Sequence, residues 1–266
     1  MKKRKQTLFW EIYEEGQGHK ASYLFGTMHV NDQRAFEHIE ALERHMAYCD
    51  AFATEIRIEE ISHQSLAEKM RLPGSLVLSD LLSKKEYDRL RFIFRNLKAP
   101  DLALFAKTAP IHLMGFLSNV ILGQEQKEVL DVALSNMAEG LNLEIDGLES
   151  VEDHIYVLDT INLDEQVKML KAVIKNFKKY RLYTLKMAEI YYEGDIQRIY
   201  KTGRKSTGKF TKVLLKNRNH NMTDSFSQKI QNKRLFAAIG AGHLGGKFGM
   251  ISLLKRKNLQ VKPILL

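Results

Sequence analysis

Apolar and polar residues alternate along Thr7-Leu8-Phe9-Trp10-Glu11-Ile12-Tyr13, and Ser22 to Met28 forms a second strand-like run. A period of two is what a half-buried strand needs, so both stretches read as β-strands. The polar, glycine-containing loop Glu15-Gly16-Gln17-Gly18-His19-Lys20 between them suits a hairpin. The period then changes. Phe36, Ile39, Leu42 and Met46 recur every three or four residues, as on the buried stripe of a helix, with Asp32 placed to cap its first turn. Ala51 to Ile58 reads as a third strand, with Glu55 as its conspicuous acid.

From about residue 59 to 226 helical spacing dominates. Ser83 with Glu86 forms a capping box ahead of Leu90, Ile93, Phe94 and Leu97, and Pro110 opens an apolar helix through Leu113, Phe116, Leu117 and Ile121. Asp131 to Glu139 is a short helix stopped by Gly140. Asn162 with Glu165 starts a long helix that reaches Tyr192 and ends at Gly194. No Ser/Pro-rich or low-complexity stretch divides this region. It therefore reads as a helical insertion, about 60–226, within one domain spanning 1–266, whose sheet comes from 7–58 and 235–264. At the far end, Leu235 to Ile239 suits a buried strand and Gly240 to Gly246 a tight turn. Phe248, Ile251 and Leu254 mark a short helix, and Leu259 to Ile264 a closing strand. Both ends of the chain thus share the order strand, Gly-x-x-His, helix, strand. The expected fold class is α/β (mixed α+β), with a central mixed sheet built from these two pseudo-repeated units.

Composition narrows the class further. With 44% hydrophobic and 27% charged residues among 266, the chain has enough apolar surface for one substantial core or two modest ones and is no disordered polymer. No apolar run approaches the roughly 18 to 20 residues that cross a bilayer. The basic start Lys2 to Lys5 leads into a strand rather than the apolar core of a secretory signal, and the single Cys49 excludes an internal disulfide. These features point to a cytoplasmic protein with a reduced core thiol. The net charge of +9 is scattered over Lys2 to Lys5, Lys168 to Lys186 and Lys201 to Lys216. Tyr180, Tyr183, Tyr191 and Tyr192 follow helical spacing rather than a base-stacking platform. The charge reads as a solvated basic surface, with no specific nucleic-acid partner.

The chemistry concentrates in the two Gly-x-x-His turns. A glycine at a strand end lets the backbone turn or approach closely, and the histidine after it is presented at the strand's carboxyl end, where α/β proteins bind ligands. Two units side by side would bring His29 and His243 to one sheet edge. Glu55, a carboxylate in a largely apolar strand, needs a cation or metal if buried. His29, His243 and Glu55 make a His/His/carboxylate set suited to a divalent metal that activates water, or, without metal, a histidine base oriented by Glu55. Gly240-Ala241-Gly242-His243-Leu244-Gly245 also fits the dinucleotide fingerprint G-x-G-x-x-G. The acid that fingerprint needs about twenty residues later is missing, so NAD is rejected. Arg218, Asn219 and Glu149 are secondary candidates, Arg218 for a substrate carboxylate or oxyanion, set against a salt-bridged helix surface.

Tyr23-Leu24-Phe25-Gly26-Thr27-Met28-His29, Gly147-Leu148-Glu149-Ser150, Arg218-Asn219 and Gly240-Ala241-Gly242-His243-Leu244-Gly245-Gly246 together resemble the TraB/GumN family. That family is related to the Tiki proteases and, more distantly, to erythromycin esterase and ChaN. The resemblance implies a mixed α/β fold and, for the Tiki branch, a metal-dependent peptidase with manganese or cobalt favoured and zinc compatible. It places His29, Glu55 and His243 in the active-site set, with Arg218 and Glu149 in support. The expectation is a metal-dependent hydrolase of peptide or small acyl substrates. The alternative is a non-catalytic protein on the same scaffold that sequesters a peptide or a cofactor such as haem.

Overall fold

The computed structural model of the chain describes residues 6–16, 20–57, 68, 70–123, 125–153, 156 and 160–266. The basic start at Lys2 to Lys5, the loop residues Gln17 to His19 and the strand-ending Ile58 lie outside them. The strands are β1 (Phe9–Tyr13), β2 (Ser22–Thr27), β3 (Ala51–Ile56), β4 (Glu144–Glu149), β5 (Leu235–Gly240) and β6 (Gln260–Ile264). The helices are α1 (Ile39–Met46), α2 (Leu78–Leu81), α3 (Lys84–Asn96), α4 (Pro110–Leu122), α5 (Leu130–Gly140), α6 (Leu163–Lys175), α7 (Phe177–Tyr192), α8 (Ile196–Thr207), α9 (Arg218–Lys229) and α10 (Met250–Arg256). No helix among the described residues is long and apolar enough to cross a membrane. Two compact units emerge. One holds Met1–Ile58, Glu125–Val157 and Met187–Leu266, the other Glu59–Gln124 and Leu158–Lys186.

The first unit contains a six-stranded mixed sheet in the order β4-β3-β5-β2-β1-β6. The α/β reading of the sequence is therefore the observed class. β1 pairs antiparallel with β2 and β6, whereas β2, β5, β3 and β4 run parallel. Four strands thus end at one edge. The central β5 is buried along Leu235 to Ile239, which its unbroken apolar run dictates. Leu235, Ala237 and Ile239 join a core cluster with Met222 and Phe226 of α9 and Met250 and Leu254 of α10. Aromatic rings on β1, β2, β3 and β5 pack together as well, Phe9 against Tyr23, Phe25 and Phe236, and Phe236 against Phe52. Cys49 is buried, and burial pushes its thiol up to about 12, so it is an inert core group.

Three sequence expectations are modified. Asp32 does cap a helical turn, accepting from Arg34 N, but that turn is a 3-10 segment (Gln33–Phe36) and α1 begins only at Ile39. The long helix from Asn162 is broken at Asn176, whose φ of −134° and ψ of 53° are not helical, before α7 resumes. The middle of the chain also supplies a strand, β4, between sequences read as helical.

The second unit is helical. Leu90, Ile93 and Phe94 of α3 form one cluster with Leu113 and Leu117 of α4 and Leu170, Val173 and Ile174 of α6. Ser83 and Glu86 make the reciprocal capping box that their spacing predicts. The Tyr180 hydroxyl donates to Met114 O at 2.8 Å, tying α7 to α4.

Candidate active site

The site forms where β2, β3, β4 and β5 end, the edge at which parallel sheets present ligand-binding groups. In the β2–β5 pair Gly26 faces Ile239 and Thr27 faces Gly240, so the two Gly-x-x-His motifs lie beside each other one residue out of register. Neither glycine is there for a left-handed backbone; each makes room. A Cβ on Gly26 would lie 2.6 Å from Leu244 Cδ1 and 3.2 Å from Ala241 Cα, both in the second turn. A Cβ on Gly240 would lie 3.0 Å from Glu55 Oε1. One glycine lets the turns nest, the other admits a carboxylate.

Glu55 points from β3 under the second turn. Gly240 N donates to its Oε1 at 2.8 Å, and Arg218 Nη2 donates to its Oε2 in a short contact. Arg218 also forks onto Glu149, with Nε 3.0 and 2.9 Å from the two carboxylate oxygens and Nη2 at 2.7 Å. Side-chain exposure is 1% for Glu149 and 11% for Arg218, so these charges have left water and depend on one another. Burial opposes ionisation of Glu55, but His243, Arg218 and the Gly240 amide outweigh it and hold the carboxyl well below its usual range. Burial likewise disfavours the Arg218 cation, and Glu55 and Glu149 more than offset that.

His243 is buried, its Nδ1 2.6 Å from Asn219 Oδ1. An amide oxygen only accepts, so Nδ1 carries a proton and Nε2 faces the charged cluster, 3.5 Å from Arg218 Nη1 and 3.6 Å from Glu55 Oε1. Asn219 itself is fixed by donating to Phe248 O at 2.7 Å. His29 differs. Its side chain is 71% exposed, and Nδ1 stands 3.4 Å from Asp131 Oδ2. Asp131 is held by Thr27, whose hydroxyl donates to Oδ1 at 2.6 Å. The Asp131 contact, opposed by burial and supported by the charges of Asp131 and Glu55, raises the His29 pKa. His29, Asp131, Thr27, Glu55 and Gly240 line one cavity of about 310 Å³.

The sequence candidates are therefore brought together in two groups that share Glu55. Arg218, Glu149 and His243 surround its buried side, and His29 shares its cavity. Asp131 was not anticipated. It starts a predicted helix, where an acid is routinely explained by the helix dipole, and only its closeness to His29 reveals another use. As metal ligands the set fits poorly. Both Glu55 oxygens are engaged, and a guanidinium already supplies positive charge beside it. No three His, Cys, Asp or Glu side chains among the described residues gather as a ligand group.

Comparison with curated proteins and with solved structures gives no match. The sequence pattern of one family, TraB/PrgY/gumN, matches residues 8–263, nearly the whole chain and all the motifs that build this sheet edge. The chain belongs to the TraB/PrgY/gumN family.

Proposed function

We propose that the chain is a hydrolase of a peptide or another acyl bond, with its reaction centre in the cavity between His29 and Glu55. The observation that carries this reading is the Thr27–Asp131–His29 arrangement. A carboxylate fixed at one oxygen by Thr27 turns its other oxygen to His29 Nδ1, which leaves Nε2 as the ring nitrogen to take a proton from water. Glu55 serves poorly as a base, because its proton affinity is low and both oxygens accept hydrogen bonds. Its part is to hold Arg218 and the Gly240 amide in place beside the cavity. Arg218 offsets part of the negative charge of Glu55 and Glu149 at this edge, which lessens the penalty on the negative charge that develops on an attacked carbonyl oxygen.

A divalent ion, as the family resemblance implies, would have to take Glu55 from Arg218, and no step here is assigned to one. The test is turnover of a peptide and ester panel by the wild type, His29→Ala and Asp131→Asn, each with chelator and with added Mn²⁺ or Co²⁺. Turnover that survives chelation and falls on the order of 100-fold or more in His29→Ala is expected. Turnover seen only with added metal would return the reaction to a metal centre. Tight binding of a panel member with no turnover would make the chain a sequestering protein and defeat the proposal.

A further inference from the structure

Charge is divided unevenly along the chain. Residues 196–266 carry sixteen Lys and Arg against a single acid, Asp224, whereas residues 1–195 carry 25 against 31. Some of these cations are neutralised: Lys229 by Asp146, Lys257 by Asp224, Arg218 by its two glutamates. Another group is not. Lys216, from the π-helical turn Lys212–Asn217 that leads into α9, joins Lys247 and Arg256 around the ring of Phe248. Their charged ends lie 4.3, 5.7 and 5.9 Å from its centroid. The His220 ring is 6.1 Å away. Among the described residues none of the three cations makes an ion pair; Arg256 donates instead to Lys247 O.

Three like charges around one ring repel one another, and the ring quadrupole offsets only part of that cost. A partner that brings many phosphates offsets the rest. We propose that this face, Phe248 with Lys216, Lys247 and Arg256, docks the chain on an anionic phospholipid surface. Nucleic acid suits it less well. Binding of single strands leans on aromatic faces open for bases, and cations already crowd Phe248. The only large apolar residues exposed within 196–266 are Leu265 and Leu266, neither of them aromatic. Two of the three cations are lysines, hydrated point charges that suit headgroup phosphates without demanding a fixed geometry. The face is also separate from the reaction centre. Lys216 and His220 sit four residues apart, both at Phe248, while Arg218 between them turns to Glu149.

Co-sedimentation of the full chain with vesicles tests this. Pure phosphatidylcholine is compared with vesicles one-third phosphatidylglycerol, each at low and moderate salt. The variant is Lys216→Gln/Lys247→Gln/Arg256→Gln. The control, Lys84→Gln/Lys85→Gln/Lys178→Gln, loses the same charge elsewhere. Binding is expected only to the anionic vesicles, and salt should weaken it. At about fivefold per cation, the patch variant should bind roughly 100-fold more weakly and the control almost normally. Should the triple variant not melt cooperatively, Lys247→Gln alone, at an exposed side chain, reads about fivefold. Equal losses in patch and control would reduce the effect to net charge and overturn the proposal. So would no binding to anionic vesicles at low salt, or tighter binding to a short RNA or DNA than to vesicles.

Discussion

The turn Gly26-Thr27-Met28-His29 and the turn Gly240-Ala241-Gly242-His243 share a motif and lie on neighbouring strands, yet their histidines meet opposite environments. His243 is 7% exposed at its side chain and bonded to Asn219, while His29 is 71% exposed and held by Asp131. The one-residue offset between β2 and β5 accompanies this difference, together with what meets each turn: α9 brings Asn219 and Arg218 to the second, while α5 brings Asp131 and α7 brings Tyr191, whose hydroxyl donates to Gly26 O at 3.1 Å, to the first. A motif fixes a backbone shape; its neighbours decide what the side chain does. On this reading the second turn belongs to the frame of the site and the first to its chemistry. Each substitution below tests that division.

Arg218→Met should cost most. It would leave Glu149, 1% exposed, and Glu55 without their cation, a loss of about 3–5 kcal/mol in urea unfolding. An unchanged midpoint would show that the carboxylates find another partner or simply protonate. Gly26→Ala comes next, at up to about 3 kcal/mol, because Leu244 is fully buried and the Ala241 backbone is fixed. Gly240→Ala should cost less, near 1 kcal/mol, since its added methyl meets no backbone: the end of the Glu55 side chain lies at 3.0 Å and His243 Cδ2 at an ordinary 3.6 Å. Reversal of that order would mean that the turns do not nest as described. His243→Ala should fall between the two glycine changes, at about 2 kcal/mol, the cost of leaving the buried Asn219 oxygen unsatisfied.

Acid should separate the frame from the rest. The folded Glu55 has a lower pKa than its ordinary 4.5, so the unfolded chain takes up its proton first as pH falls. The stability Glu55 contributes is therefore present above about pH 4.5 and drains away as pH drops towards its folded value. Urea midpoints measured from pH 6 down to pH 3 should fall more steeply for the wild type than for Glu55→Gln. Parallel curves would mean that Glu55 is not held as a buried anion.

Most of the sheet was legible in the sequence because its inner strands are apolar runs or regular alternations. β4 was not. It lies at the sheet edge, and in its sequence Glu144-Ile145-Asp146-Gly147-Leu148-Glu149 the one buried apolar residue is Leu148, while Asp146 pairs with Lys229 and Glu144 with Lys233. With so little apolar signal, periodicity has nothing to register, and Glu149 could be named from its motif but not placed on a strand. Among the site residues, those that follow a strand within a motif could be read directly. Asp131 and the closeness of Arg218 to two carboxylates depend on how helices cross the sheet edge, and one chain's pattern does not encode that. The π-helical turn ahead of Arg218 has the same origin: it shifts the helical phase, so spacing counted from Lys212 misplaces everything after it.

The smallest structural effect is the most informative. His29→Ala removes a side chain that is mostly in solvent and whose one ion-pair partner among the described residues, Asp131, keeps its hydrogen bond from Thr27. His29 is the solvated half of the pair and Asp131 the half-buried one, so the midpoint should move by less than about 1 kcal/mol. His243→Ala is then the inverse experiment, with a clear loss of stability for the same change in the same motif. If both variants unfold alike, the two turns are equivalent parts of the frame, and the assignment of proton transfer to the first loses its structural ground. If His29→Ala melts like the wild type while turnover collapses, the defect lies in the reaction itself, since nothing the fold depends on has been removed.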